Sequence, residues 1–123
     1  MIDREKFKVE FKKRLYAASI TTIKFVESLP HDGVSLIIGD QLLRSGTSIA
    51  ANYVESLSSC SKREFLHYFQ ISLRSANESK YWLLLLRDSG KGSQQQIADL
   101  LKELNEISNI FATGIMTMKK KNR

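Results

Sequence analysis

Only three short stretches interrupt an otherwise continuous helical spacing in this chain: LPHDGVS at residues 29–35, LSSCSKRE at 57–64 and DSGKGS at 88–93. Between them, apolar residues return every three or four positions, the period of a helix with one buried face. In the first segment these are Phe7, Phe11, Leu15, Ala18, Thr22, Phe25 and Leu29, with a weaker second stripe of Val9, Tyr16, Ile20 and Ile23. In the last they are Ile97, Leu100, Leu101, Leu104, Ile107, Phe111, Ile115 and Met118. No strand-like alternation runs for a useful length. A single proline, Pro30, and six glycines leave little else to punctuate the chain. The spacing predicts four helices, at about 3–29, 34–57, 62–89 and 93–118, followed by a basic tail at 119–123. Ser61 with Glu64, and Ser93 with Gln96, have the spacing of capping boxes. Gly90 suits the left-handed position that ends a helix.

Four long helices on short loops, within 123 residues, define one all-α domain over 1–123. The expected architecture is an up-down-up-down antiparallel four-helix bundle. That topology places the start of helix one and the end of helix four at the same end. Charge gives this placement meaning. The formal net charge is +6, and the excess sits at the chain ends. Residues 1–14 hold six basic and three acidic side chains, and KKKNR adds four more positive charges. Residues 15–118 hold nine basic and ten acidic side chains. A soluble helix start and a frayed lysine tail would account for the composition. Convergence of both segments at one end of a bundle points instead to a polyanion site. The candidate phosphate contacts are Lys6, Lys12, Lys13, Arg14, Lys119, Lys120, Lys121 and Arg123.

Helices two and three carry more polar and more apolar surface than a single buried stripe explains. On helix two, Gln41, Arg44, Ser48, Asn52 and Glu55 share one narrow arc, with Ser45 beside them. Leu42, Leu43, Gly46, Ile49, Ala50, Tyr53 and Val54 fall opposite. The arc faces either water or a surface that answers it. Gly46, Ala50 and Ala51 would admit another helix closely. Arg44 needs an acidic partner if buried. Glu55 lies three turns away on the same helix, so Glu78 of helix three is the better candidate. On helix three, Phe65, Leu66, Phe69, Leu73, Ala76, Leu83 and Leu84 fill one arc, and Tyr68, Ile71, Trp82 and Leu86 a second. A second apolar arc suits an oligomer interface, where Tyr and Trp serve as anchors.

QLLRSGTSIAANYVES, followed by SKREFLHYFQISLRSANESKYWLLLLRDSG, resembles the four-helix-bundle family of 23S rRNA intervening-sequence proteins. The pattern of that family, Q-L-x-R-S/A-x-x-S-I-x-x-N-I-A-E, is met by Gln41, Leu42, Arg44, Ser45, Ser48, Ile49, Asn52 and Glu55. Glu78 and Trp82 fit its second half, and the likeness spans about residues 34–90. Tyr53-Val54 replaces the common Ile-Ala, and Ser56 stands where Gly is frequent. The resemblance implies a bacterial, cytoplasmic, homopentameric bundle, with relatives that bind nucleic acid through basic surfaces. It extends to the accessory variability determinant of diversity-generating retroelements. Under it Gln41, Arg44, Ser48, Asn52, Glu55, Glu78 and Trp82 are structural or interface residues, and the second apolar arc adds Tyr68 as an interface residue.

Catalytic chemistry finds little footing. His31 and His67 are the only histidines and Cys60 the only cysteine, with no C-x-x-C or H-x-x-x-H spacing, so no metal or other cofactor is expected. His67 reads as a surface or interface residue. GDQLLRSGTS lacks the Lys-Ser/Thr and the preceding strand of a phosphate-binding loop. Ser45 and Ser48 have no adjacent base. Glu55 and Glu78 as a carboxylate pair would lack the Glu-x-x-His partners of a di-metal bundle. The charged N-terminal segment is unlike a secretory signal, the lone cysteine fits a reducing compartment, and no apolar run approaches the length of a membrane span. The expected function is non-catalytic binding of structured RNA or other nucleic acid by a homo-oligomer. The alternative is a protein-interaction scaffold, such as an accessory factor that recruits a reverse transcriptase.

Overall fold

The computed structural model describes residues 3–121 and contains four helices: α1 (Arg4–Glu27), α2 (Gly33–Leu57), α3 (Lys62–Asp88) and α4 (Gln94–Lys121). Local chemistry sets their ends. Asp3, Asp32 and Ser61 each accept a hydrogen bond from a backbone N–H of the turn they cap, on Glu5, Ser35 and Glu64. The Ser93 hydroxyl accepts from the Gln96 N–H in the same way. At the end of α3, Gly90 has φ of 73°. Its N–H bonds to the Arg87 carbonyl and the Lys91 N–H to the Leu86 carbonyl, the paired closure of a Schellman motif.

Each helix packs against its sequence neighbours, and α1 and α4 close the ring, which makes an antiparallel all-α bundle. Phe11, Leu15, Phe25, Leu42, Ile49, Leu83, Ile97, Ile107 and Phe111 fill its core. Each helix contributes one aromatic ring to a cluster near the chain termini: Phe11, Tyr53, Phe69 and Phe111, with centroids 5.0–5.3 Å apart between Phe11 and Tyr53, Phe11 and Phe111, and Phe69 and Phe111. Edge-to-face and tilted packing of this kind suits the ring quadrupoles.

α2 and α3 meet through a seam of small polar residues. Ser45, Ser56, Ser72 and Ser79 are fully buried there. The Ser45 and Ser79 hydroxyls lie 2.8 Å apart, Ser72 donates to the Ile49 carbonyl at 2.9 Å, and Ser75 donates to Ser48 at 3.2 Å. Side chains this short let two backbones approach, and mutual hydrogen bonding removes the penalty of burying hydroxyls. Gly46 faces the other way, toward α1, where a Cβ would stand 2.8 Å from the Thr22 methyl. Ala51 is exposed and takes no part in close packing.

The phase of α3 differs from the one its apolar residues suggest. The buried line is Ser72, Ala76, Ser79, Leu83 and Leu86. Leu86 therefore belongs to the core and Leu84 is exposed, because two buried serines shift the helix away from its most hydrophobic arc. Tyr68, Ile71 and Trp82 remain half-buried. α4 also runs through Lys121, so Lys119–Lys121 form its last turn where the sequence suggests a tail. Arg123 lies outside the described residues.

Gly46→Ala gains helix propensity of up to about 1 kcal/mol. It also forces a clash with Thr22, whose hydroxyl is held by the Ala18 carbonyl at 2.8 Å. Overpacking costs of about 1–3 kcal/mol predict a net loss of roughly 1 kcal/mol in urea unfolding. Adding Thr22→Ser, which deletes the obstructing methyl, is expected to reverse the sign.

Candidate nucleic-acid interface

The bundle brings basic residues from three helices to the end that holds the aromatic cluster. Phe11 against Phe111, and Arg14 against Glu103, place the first half of α1 beside the middle of α4. Lys6, Lys12 and Lys13 of α1 are exposed there, as are Lys119, Lys120 and Lys121 of α4. Lysines in the last turn of α4 also complement the negative pole of its dipole. The antiparallel order adds the start of α3, so Lys62 and Arg63 join this end. Arg74 borders the same shallow cleft as Lys119. The sequence alone does not single out these three, which fall in its charge-balanced middle. The signal was available in the topology, since helices one and three must begin at one end.

Arg14 has a different task from its neighbours. Its Nε and Nη2 donate to the two carboxylate oxygens of Glu103 at 2.8 and 2.6 Å, and Glu106 lies 3.5 Å away. This two-pronged pair ties α1 to α4, so Arg14 is committed to a carboxylate inside the bundle and is removed from the set of available phosphate contacts. The hydrogen bond from Arg14 holds the Glu103 carboxyl below its ordinary range, against the opposing effect of burial. The Arg14 guanidinium is correspondingly raised by the same bond.

At the opposite end two of the cations are paired. Lys91 meets Asp32 at 3.1 Å and Arg87 meets Asp88 at 2.9 Å. Asp32 is held below its usual range first by the Ser35 N–H and then by Lys91. Apolar side chains stand exposed there too: Val34, Leu36 and Ile37 at the start of α2, and Tyr81, Leu84 and Leu85 near the end of α3.

The polar arc of α2 resolves into two groups. Gln41 and Arg44 face α3, where the Arg44 guanidinium pairs with Glu78, and Gln41 Oε1 accepts from Arg44 Nη2 at 3.0 Å. The Trp82 indole N–H donates to the same Glu78 oxygen at 2.9 Å. Asn52 donates to the Ser48 carbonyl at 2.8 Å and to its hydroxyl at 2.9 Å. Glu55 is exposed. It lies about 16 Å along the axis from Arg44, so it forms no carboxylate pair with Glu78. Tyr68 packs edge-on to the exposed His67 at 5.5 Å. No three His, Cys, Asp or Glu side chains among the described residues are grouped to hold a metal ion. No helix among them is long and apolar enough to cross a membrane.

A bundle joined by a serine seam and an Arg–Glu–Trp cluster on α2 and α3 is the class of protein defined by these features. The chain belongs to the family of 23S rRNA-intervening sequence proteins, whose pattern matches residues 7–113. It is similar to a crystallised protein of unknown function from the S23 ribosomal protein family of Bacteroides thetaiotaomicron. The two share 28% identity and a TM-score of 0.79, over 85% of this chain and 96% of that one. None of the curated proteins compared with the chain matches it.

The lowered Glu103 and Asp32 carboxyls link stability to pH. A depressed folded-state pKa adds stability that is complete above the unfolded value and is lost as pH falls through the folded value. The unfolded values are 4.5 for Glu103 and 3.8 for Asp32. Thermal stability is therefore expected to fall as pH drops below about 4.5, and Glu103→Gln should flatten part of that fall. At neutral pH the same substitution should cost on the order of 1 kcal/mol, because the pair is about one-third exposed.

Proposed function

We propose that this protein is a non-catalytic, homo-oligomeric module that binds structured RNA or related nucleic acid through the basic end of its bundle. The observation that carries the reading is the unequal treatment of charge. Arg87 and Lys91 at the far end pair with carboxylates, whereas Lys6, Lys12, Lys13, Lys62, Arg63 and Lys119–Lys121 stand exposed together at the other. An exposed basic surface of this kind attracts phosphates by releasing their counterions. Binding would be weakly sequence-specific, since backbone contacts position a nucleic acid without reading its bases. The setting is read as the bacterial cytoplasm.

Self-association would use the face that carries Val34, Ile37, Leu84 and Leu85, with Trp82 and Tyr68 further along α3. Exposed apolar side chains grouped at one end of a helix pair suit a protein partner. Family membership makes a second copy of this chain the first choice, in a pentamer. The competing reading assigns that face to a different protein, such as a reverse transcriptase, and makes the bundle a recruiting scaffold.

Fluorescence anisotropy with a structured ribosomal RNA fragment, repeated across salt, tests the first part. Affinity is expected to fall steeply with salt. Replacing Lys119, Lys120 and Lys121 by Gln should reduce the slope by about two. Arg14→Gln should leave the slope nearly unchanged, because Glu103 already occupies that guanidinium. No binding at low salt would sink the nucleic-acid reading and favour the scaffold. Light scattering on a sizing column tests the second part: the wild type should run as an oligomer, and Ile37→Glu with Leu85→Glu should give monomers that retain the helical circular dichroism.

A further inference from the structure

At the basic end the aromatic cluster does not finish flush with the surface. Phe7 stacks on Phe11, with centroids 5.6 Å apart and planes 19° apart, yet Phe7 remains 42% exposed. Phe65 lies similarly over Phe69, at 4.6 Å and 30°. Between these two ring pairs is an open cleft of about 360 Å³ lined by Arg4, Phe7, Lys8, Tyr53, Leu57, Phe65 and Phe69. Its wall is apolar and mostly aromatic, and its two charged lining residues are both cations. A second cleft, of about 440 Å³, lies on the α4 side of the same Phe7 ring.

Neither feature is required by the core. The bundle is already closed beneath by Phe11, Tyr53, Phe69 and Phe111. A solvent-facing phenylalanine at position 7 exposes apolar surface without burying any new layer. Arg4, Lys8 and Lys12 follow one another at four-residue steps, so they form a basic ridge along α1 beside the cleft. An aliphatic side chain of a protein partner would use the apolar wall and leave Arg4 unanswered, with Lys8 reaching only the exposed Glu5 at 3.4 Å. A nucleotide answers both, with a flat heteroaromatic base for the rings and a phosphate for the ridge. Unpaired bases splayed from RNA are held in this way, on aromatic faces beside a basic track. The cleft is also at the small end of the size range of ligand sites, which suits one base.

We propose that the cleft between Phe7 and Phe65 receives one unpaired nucleobase of a bound RNA, while Arg4 and Lys8 hold the adjoining phosphates. The inference rests on the reading of the basic end as a nucleic-acid site and deepens it. It turns a surface that attracts any polyanion into one that selects RNA bearing a bulged or single-stranded base.

The test compares two RNA hairpins of equal length, one fully paired and one with a single bulged 2-aminopurine, each titrated with the full chain. The wild type is expected to bind the bulged hairpin at least about fivefold more tightly, a modest share of the stacking contribution of one base. It should also quench the 2-aminopurine fluorescence on binding. Phe7→Leu, which keeps the apolar bulk and removes the ring, should bring the affinity ratio close to one. Phe65→Leu provides a second variant in case the first disturbs the end of α1. A ratio of one in the wild type, with both hairpins bound in a salt-dependent manner, would overturn the base slot while leaving the basic end intact, and would return the cleft to a protein side chain. A preference that survives in both variants would also overturn it. Failure of the wild type to bind either hairpin at low salt would remove the underlying reading and this inference together.

Discussion

The close approach of α2 to α3 is the constraint on which the rest of the structure depends. It is made with hydroxyls. Ser45 meets Ser79, Ser48 meets Ser75, and Ser72 reaches the backbone of Ile49. Each pairing is possible only in one register of the two antiparallel helices, and every buried hydroxyl so placed is satisfied. With these two helices fixed, Arg44 falls beside Glu78, and Trp82 can share the same carboxylate oxygen. Gly46 is then turned toward Thr22, which sets how near α1 can lie. α1 in turn presents Arg14 to Glu103 and so draws in α4. The chain of contacts runs outward from the seam, one helix at a time.

Much of this was legible in the sequence. The caps at Ser61 and Ser93, the stop at Gly90 and the four-helix periodicity were all readable because each rests on chemistry within a few residues. Glu78 could be named as the partner of Arg44 because an arginine among small side chains needs an acid, and the carboxylate on its own helix was too distant. The phase of α3 was not legible. Ser72 and Ser79 look like surface residues until the matching serines of α2 are placed opposite, so the apolar spacing alone puts Leu84 and not Leu86 on the core line. The role of Arg14 was hidden for the same reason. Its partner is 89 residues away, and nothing local distinguishes it from the lysines beside it. Buried polar contacts between distant residues leave no period in a sequence.

The two ends of the bundle differ in what they leave open. One ties Lys91 to Asp32 and Arg87 to Asp88 and exposes Ile37, Leu84 and Leu85, while the other gathers exposed lysines around a partly exposed Phe7. A molecule divided in this way can meet two kinds of neighbour at once without either competing for the same ground. The division follows from topology. An even number of antiparallel helices places the chain's two basic segments together, and puts the loop that carries Asp32 and the loop that carries Lys91 at the other end.

The seam also limits how this molecule can change. A core of leucines can drift, because a methylene lost on one side is recovered on the other. Side chains no larger than serine leave nothing to give up, so nearly every replacement along Ser45, Ser72, Ala76 and Ser79 adds volume where two backbones already touch. The outer faces of α1 and α4 carry no such restriction. Divergence in a bundle of this design is therefore directed outward, onto the surfaces that meet other molecules.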